Sequence, residues 1–103
     1  MFIAIYQFTV KPDREADYEK AWHDVTRSLY EHQGSLGSRL HKNSKLIYLG
    51  YAQWPNKNAW RNSDKKLKEA TKMQQEKLRE TCEIIETLYE LEVVDDLLVN
   101  LKK

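Results

Sequence analysis

The sequence predicts an α+β fold in the ferredoxin-like order β-α-β-β-α-β, with both helices on one face of an antiparallel four-stranded sheet. Three observations carry that prediction. The chain opens on MFIAIYQFTV, which is apolar on both parities. Two stretches of helical periodicity follow, and between them lie two β-rich segments joined by a short polar turn. With 103 residues the chain has room for one domain, of which 96–103 read as a tail.

Residues 2–10 place Phe2, Ala4, Tyr6 and Phe8 on one side and Ile3 and Ile5 on the other, the pattern of a strand buried on two faces. Pro12 stops that strand. Asp13 is the expected N-cap of a helix over 13–33, and Glu15 and Asp17 fall in its first turn, where the helix dipole favours acids. Tyr18, Ala21, Trp22, Val25 and Leu29 form its apolar stripe, and Gly34 supplies a left-handed stop. Residues 36–42 and 45–54 read as a hairpin turning at Asn43 and Ser44. Pro55 and Asn56 end it and cap a short helical turn through Trp60; Ser63 is a second cap, opening a helix from Asp64 onward. The inward positions expected on that helix are Leu67, Ala70, Met73 or Gln74, Leu78 and Cys82, with surface pairs Lys65–Glu69 and Lys72–Glu76. TLYELEVV, 87–94, alternates as a fourth strand.

Composition narrows the function classes. The net charge is only +1, yet residues 37–72 hold nine Lys or Arg against Asp64 and Glu69, while 83–96 hold six acids and no base. In a nearly neutral chain this reads as a solvated helix face and complementary halves, not as a nucleic-acid surface. Cys82 is the sole cysteine, and no C-x-x-C or His/Cys cluster offers a metal site, so a reducing compartment, the cytoplasm, is expected. The apolar opening is too short to span a membrane and lacks the marks of an export signal. No membrane or nucleic-acid partner is expected.

Two helices cover one face of a sheet whose first and third strands are apolar on both. At roughly 25 cal/mol per Å², leaving the second face in water would forfeit several kcal/mol. A homodimer through the sheet faces is therefore expected.

The groups able to carry chemistry are few. Trp54 and Trp60, six residues apart, serve either to anchor the second helix on the sheet or to wall a pocket, and the two roles are compatible. Trp22 and Tyr51 are further candidate walls. Tyr6 and Tyr48 bring hydroxyls able to orient a phenolic ligand or steady a developing oxyanion, unless they serve only in the core. Arg39 and His41 share a strand face, where they hold an anionic oxygen, move a proton, or merely cap an exposed hairpin end. His23 and His32 read as structural or solvated, and Cys82 as a small buried residue. No Ser-His-Asp order, glycine-rich phosphate loop or metal-ligand spacing is present.

MFIAIYQFTVKP, a first helix with a central Trp, GSLGSRL entering the second strand and YAQWPNKNAW leaving the third together resemble the antibiotic biosynthesis monooxygenase superfamily over residues 1–95. The resemblance implies a dimeric α/β barrel with a pocket between sheet and helices in each subunit. It implies oxidation of phenolic polycycles or quinols by oxygen without metal or flavin, hence no cofactor, and it makes Tyr6 a pocket residue. Some members have no known activity, which keeps a non-catalytic ligand-binding or structural module as the alternative. The haem-degrading branch has an Asn where this chain has Tyr6, and its iron-ligating His falls at Ala70 or Met73, so haem chemistry is not expected.

Overall fold

A computed structural model of the chain describes residues 1–65 and 67–99. The elements run β1 (Phe2–Val10), α1 (Glu15–His32), β2 (Ser38–Ser44), β3 (Ile47–Trp54), α2 (Lys57–Arg61), α3 (Glu69–Glu80) and β4 (Cys82–Glu92). The strands make one antiparallel sheet in the order β2-β3-β1-β4, and α1 and α3 pack together on one face of it. This is the ferredoxin-like arrangement expected from the sequence. Among the described residues no helix is long and apolar enough to cross a membrane.

Register divides the side chains cleanly. Phe2 lies opposite Trp54, Ala4 opposite Ala52, Tyr6 opposite Gly50 and Phe8 opposite Tyr48, so the even-numbered residues of β1 and β3 share the helix-covered face. On it Phe8, Tyr18 and Tyr48 pack ring on ring, with centroids 5.3 Å and 4.7 Å apart, together with Val10, Ala21, Val25 and Leu78. The odd-numbered set, Ile3, Ile5, Leu49 and Tyr51, lies on the other face beside Arg39 and His41 of β2 and Ile84, Tyr89 and Leu91 of β4. Tyr89 is 61% exposed there and Ile84 50%. At the β2 end of that face Leu98 meets Leu36, Arg39, His41, Tyr51 and Gln53 around a groove.

Several local expectations are corrected. Asp13 does not cap α1: it sits at φ 65°, and Arg14 takes the N-cap position without a side-chain bond. The hairpin turns at 45–46, because a bulge near Lys42 carries Ser44 into pairing with Ile47. Asn56 caps α2 as expected, its Oδ1 accepting from the Ala59 N–H at 2.8 Å. Ser63 caps nothing; its hydroxyl donates back to the Trp60 carbonyl at 2.6 Å, and the long helix starts later, at Glu69. Gln33 bridges the connection, its amide donating to the Ser63 carbonyl at 2.9 Å while its Oε1 accepts from the Lys68 N–H at 3.4 Å. With Lys65 in that turn, the Lys65–Glu69 helix pair does not form, and Lys72–Glu76 makes no ion pair among the described residues.

The phase of α3 also differs. Thr71 and Leu78 are buried and Gln74 and Gln75 half-buried, whereas Ala70 and Met73 point to solvent. The buried Thr71 and Ser28 hydroxyls are hydrogen-bonded across α1 and α3, and that bond sets the helix rotation. Strand β4 starts at Cys82 rather than at Thr87, so Cys82 opens a strand instead of closing a helix.

Thr71→Val strands the Ser28 hydroxyl in the interior and costs about 1–3 kcal/mol, whereas Thr71→Val combined with Ser28→Ala costs less than the sum of the two single changes. Urea unfolding of the three variants measures both numbers.

Candidate active site

Small residues on the helix-covered face make room for a cavity. Gly50 and Ala52 of β3 lie among larger neighbours, and Trp22, Val25 and Leu29 of α1 stand over them without filling the space. A cavity of about 260 Å³ results, walled by Tyr6, Phe8, Trp22, Val25, Leu29 and Trp54, with Gln75, Leu78 and Arg79 reaching it from α3. Gly50 is essential to this shape. A Cβ there would meet the Phe8 ring at 3.1 Å and stand 3.8 Å from the Trp22 indole nitrogen.

The polar groups at the cavity are sparse. The Tyr6 hydroxyl accepts a hydrogen bond from the Trp60 indole N–H at 2.6 Å, which leaves its own proton free to donate. Burial pushes the Tyr6 phenol above its ordinary pKa, with the Trp60 bond opposing and Glu90 adding to the rise. The group is therefore neutral at physiological pH, a donor and not a phenolate base. Trp60 itself is stacked on Phe2 with centroids 5.2 Å apart, so α2 is held to the sheet through its one indole. Trp54 is 3% exposed, and its indole N–H has no acceptor among the described residues. Arg79 forms no salt bridge among the described residues and supplies a positive charge.

The structure does not gather all the residues expected from sequence. Tyr6, Trp22 and Trp54 border the cavity and Trp60 adjoins it through Tyr6. Tyr48 faces the same side of the sheet but lies outside the cavity, its hydroxyl donating to Glu19 at 2.6 Å, and burial followed by that bond pushes its pKa up to about 12. Arg39, His41 and Tyr51 lie on the opposite face, around the groove that Leu98 enters. They share no space with Tyr6 within one chain. Gln75 and Arg79 were not expected. The signal for them was the row Thr71, Gln75, Leu78, Cys82, which competes with the more apolar row through Leu67, Ala70 and Gln74. Burial holds the Cys82 thiol above its ordinary pKa. Among the described residues no group of three or more His, Cys, Asp or Glu is placed to hold a metal ion.

The chain belongs to the antibiotic biosynthesis monooxygenase family, whose model matches residues 1–76. Solved structures share its fold. SnoaB from Streptomyces nogalater, a cofactor-independent oxygenase, superposes with a TM-score of 0.76 at 16% identity over 93% of this chain and 95% of its own. A protein of the antibiotic biosynthesis monooxygenase type from Caulobacter crescentus gives 0.72 at 17% identity over 91% and 90%. One from Nitrosomonas europaea gives 0.73 at 11% identity over 92% and 100%. No curated protein sequence matches the chain significantly.

Two outcomes follow from this geometry. Gly50→Ala crowds Phe8 and Trp22, destabilises the fold by about 1–3 kcal/mol and weakens binding of a naphthol probe, both read by thermal melts with and without probe. The second concerns alkali. A Tyr48 phenol that ionises near pH 10 unfolded and at about 12 folded contributes stability that is intact below the first value and lost as pH rises through the second. Melting temperature against pH falls across that window, and less steeply in Tyr48→Phe.

Proposed function

We propose that the protein is a cofactor-independent monooxygenase, acting as a homodimer in the cytoplasm on a small electron-rich aromatic of hydroquinone or anthrone type. The observation that carries the reading is the apolar cavity walled by Phe8, Trp22 and Trp54 and bordered by a neutral phenol, that of Tyr6, with a free proton. At about 260 Å³ it exceeds the ~150 Å³ that accommodates benzene and lies just below the ~300 Å³ typical of drug-sized ligands. One or two fused rings suit it better than a large polycycle. The free cysteine favours a reducing compartment, and the apolar second face of the sheet favours a partner copy. SnoaB, of like fold, supports the cofactor-independent chemistry.

In such a reaction the substrate supplies the electrons. Loss of a proton to solvent water from a ring-activated CH₂ or hydroxyl gives an anion spread over the aromatic system, and that anion reduces dioxygen; when a CH₂ becomes a carbonyl, or a ring C–H of a hydroquinone becomes the C–OH of a hydroxyquinone, one oxygen atom stays on the ring system and the second leaves as water. The protein's part is to bind, shield and stabilise. Trp22, Trp54 and Phe8 hold the ring in a dry slot where electrostatic interactions are strong. The Tyr6 O–H, aimed by Trp60, donates to the substrate oxygen, and Arg79 supplies positive charge as the anion forms.

Oxygen uptake with a panel of hydroquinones and anthrones tests the proposal. Tyr6→Phe should lower kcat by ~10²-fold and Arg79→Gln by ~10-fold or more, whereas Trp54→Phe mainly raises KM. His41→Ala, on the other face of the sheet, should leave the rate within about threefold, since it removes no group that touches the substrate. Uptake at the protein-free rate throughout, with probe binding retained, would instead make this a non-catalytic ligand-binding module of the same fold.

A further inference from the structure

From the cavity wall a run of oxidisable rings leads through the core to an exposed carboxylate. Trp22 borders the cavity, and Tyr18, one helical turn earlier on the same face of α1, belongs to the cluster against which Trp22 packs. The Tyr18 ring meets Phe8 on one side at 5.3 Å and Tyr48 on the other at 4.7 Å between centroids. Tyr48 ends the run. Its hydroxyl donates to the Glu19 carboxylate at 2.6 Å, and Glu19 is exposed.

The phenols near the cavity differ in what receives their protons. A phenol that gives up an electron becomes a strong acid and must shed its proton, so an electron deficit settles only where a base is in contact. Tyr18 is fully buried, and its hydroxyl has no partner among the described residues. The Tyr6 oxygen is met by a donor, the Trp60 indole, and not by a base. Among the described residues, Tyr48 alone of the three is bonded to a carboxylate. The Lys42 ammonium, 5.6 Å from the Tyr48 ring centroid, opposes a charge kept on that ring once it is oxidised and so favours release of the proton.

We propose that Trp22, Tyr18 and Tyr48 form an electron relay that draws one-electron oxidising equivalents out of the cavity and discharges them beside Glu19. Only the natural oxidant, a peroxyl radical formed when dioxygen adds to a substrate radical, depends on the oxygenase reading. That peroxyl takes one electron from Trp22 and a proton from water, becoming a hydroperoxide and leaving an indole radical cation. Trp22 regains its electron from Tyr48 by way of Tyr18, and the Tyr48 proton moves to Glu19 Oε2. A neutral phenoxyl and a carboxylic acid remain. A water-soluble one-electron reductant such as ascorbate then supplies an electron to Tyr48, Glu19 returns the proton, and the cavity wall is left intact.

Pulse radiolysis of the full chain tests the relay without substrate. Azide radicals oxidise indoles in preference to phenols at neutral pH, and transient absorption follows the indolyl signal as it decays and the phenoxyl signal as it grows. In the wild type the phenoxyl should grow at a rate independent of protein concentration, and more slowly in heavy water because a proton moves with the electron. Tyr18→Phe and Tyr48→Phe should lose that growth, and Glu19→Gln, which removes the proton acceptor, should slow it ~10-fold or more. Tyr30→Phe and Tyr89→Phe remove exposed phenols outside the run and should leave it unchanged. Circular dichroism shows which variants fold, and the exposed Glu19→Gln keeps the test decisive should either core variant not. Wild-type growth in Glu19→Gln, or growth lost in Tyr30→Phe or Tyr89→Phe instead, overturns the relay. An intact relay in a chain that takes up no oxygen overturns the proposed function and leaves the relay standing.

Discussion

Everything in this molecule depends on the pairing of β1 with β3. Because side chains alternate across a strand, that register sends Phe2, Ala4, Tyr6, Phe8, Tyr48, Gly50, Ala52 and Trp54 toward the helices and the odd-numbered residues away from them. A slip of β1 by one residue would turn Phe2, Tyr6 and Phe8 away from the helices and exchange every side chain of the strand. The register is protected by ring packing on both sides of the cavity: Phe2 against Trp60 at one end, and Phe8 against Tyr18 and Tyr48 at the other.

Between those two aromatic clusters the sheet is floored with small residues, and this is what separates a binding site from a filled core. Packed interiors rarely leave voids larger than a water molecule. Here Gly50 and Ala52 lower the floor while Trp22 and Leu29 on α1 stand above it. The same rings that stabilise the fold wall the cavity, so the question of whether Trp54 is an anchor or a wall has one answer for both: its ring is buried in a cluster with Phe2 and Ala52, and it also borders the cavity.

Strand and helix order were legible from apolar parity and helical spacing, and so were the Asn56 cap and the left-handed Gly34, at φ 83°. What escaped was decided by tertiary contact. The residues after Trp60 look like a helix by composition, yet Gln33 ties them down as a turn, an interaction across thirty residues that no local pattern reports. The rotation of α3 was misread because an apolar row was preferred to one led by Thr71, whose partner Ser28 lies on another helix. The glutamates of β4 masked its first half, since alternation with Glu83 and Glu86 is weak. For the site, residue type pointed to Tyr6 and the tryptophans, but only strand pairing shows that Arg39, His41 and Tyr51 lie behind the sheet from them.

The placement of the three indoles has an optical consequence. Trp22 and Trp54 wall the cavity and Trp60 is hydrogen-bonded to the Tyr6 hydroxyl that borders it, so this chain has no tryptophan remote from that space. Its ultraviolet emission is therefore a local signal. Entry of an aromatic guest, a change of water content beneath α1 or release of Trp60 from Tyr6 each alters the surroundings of at least one emitter, with no distant ring to dilute the response. The molecule carries its own gauge of occupancy, calibrated residue by residue with single Trp→Phe replacements.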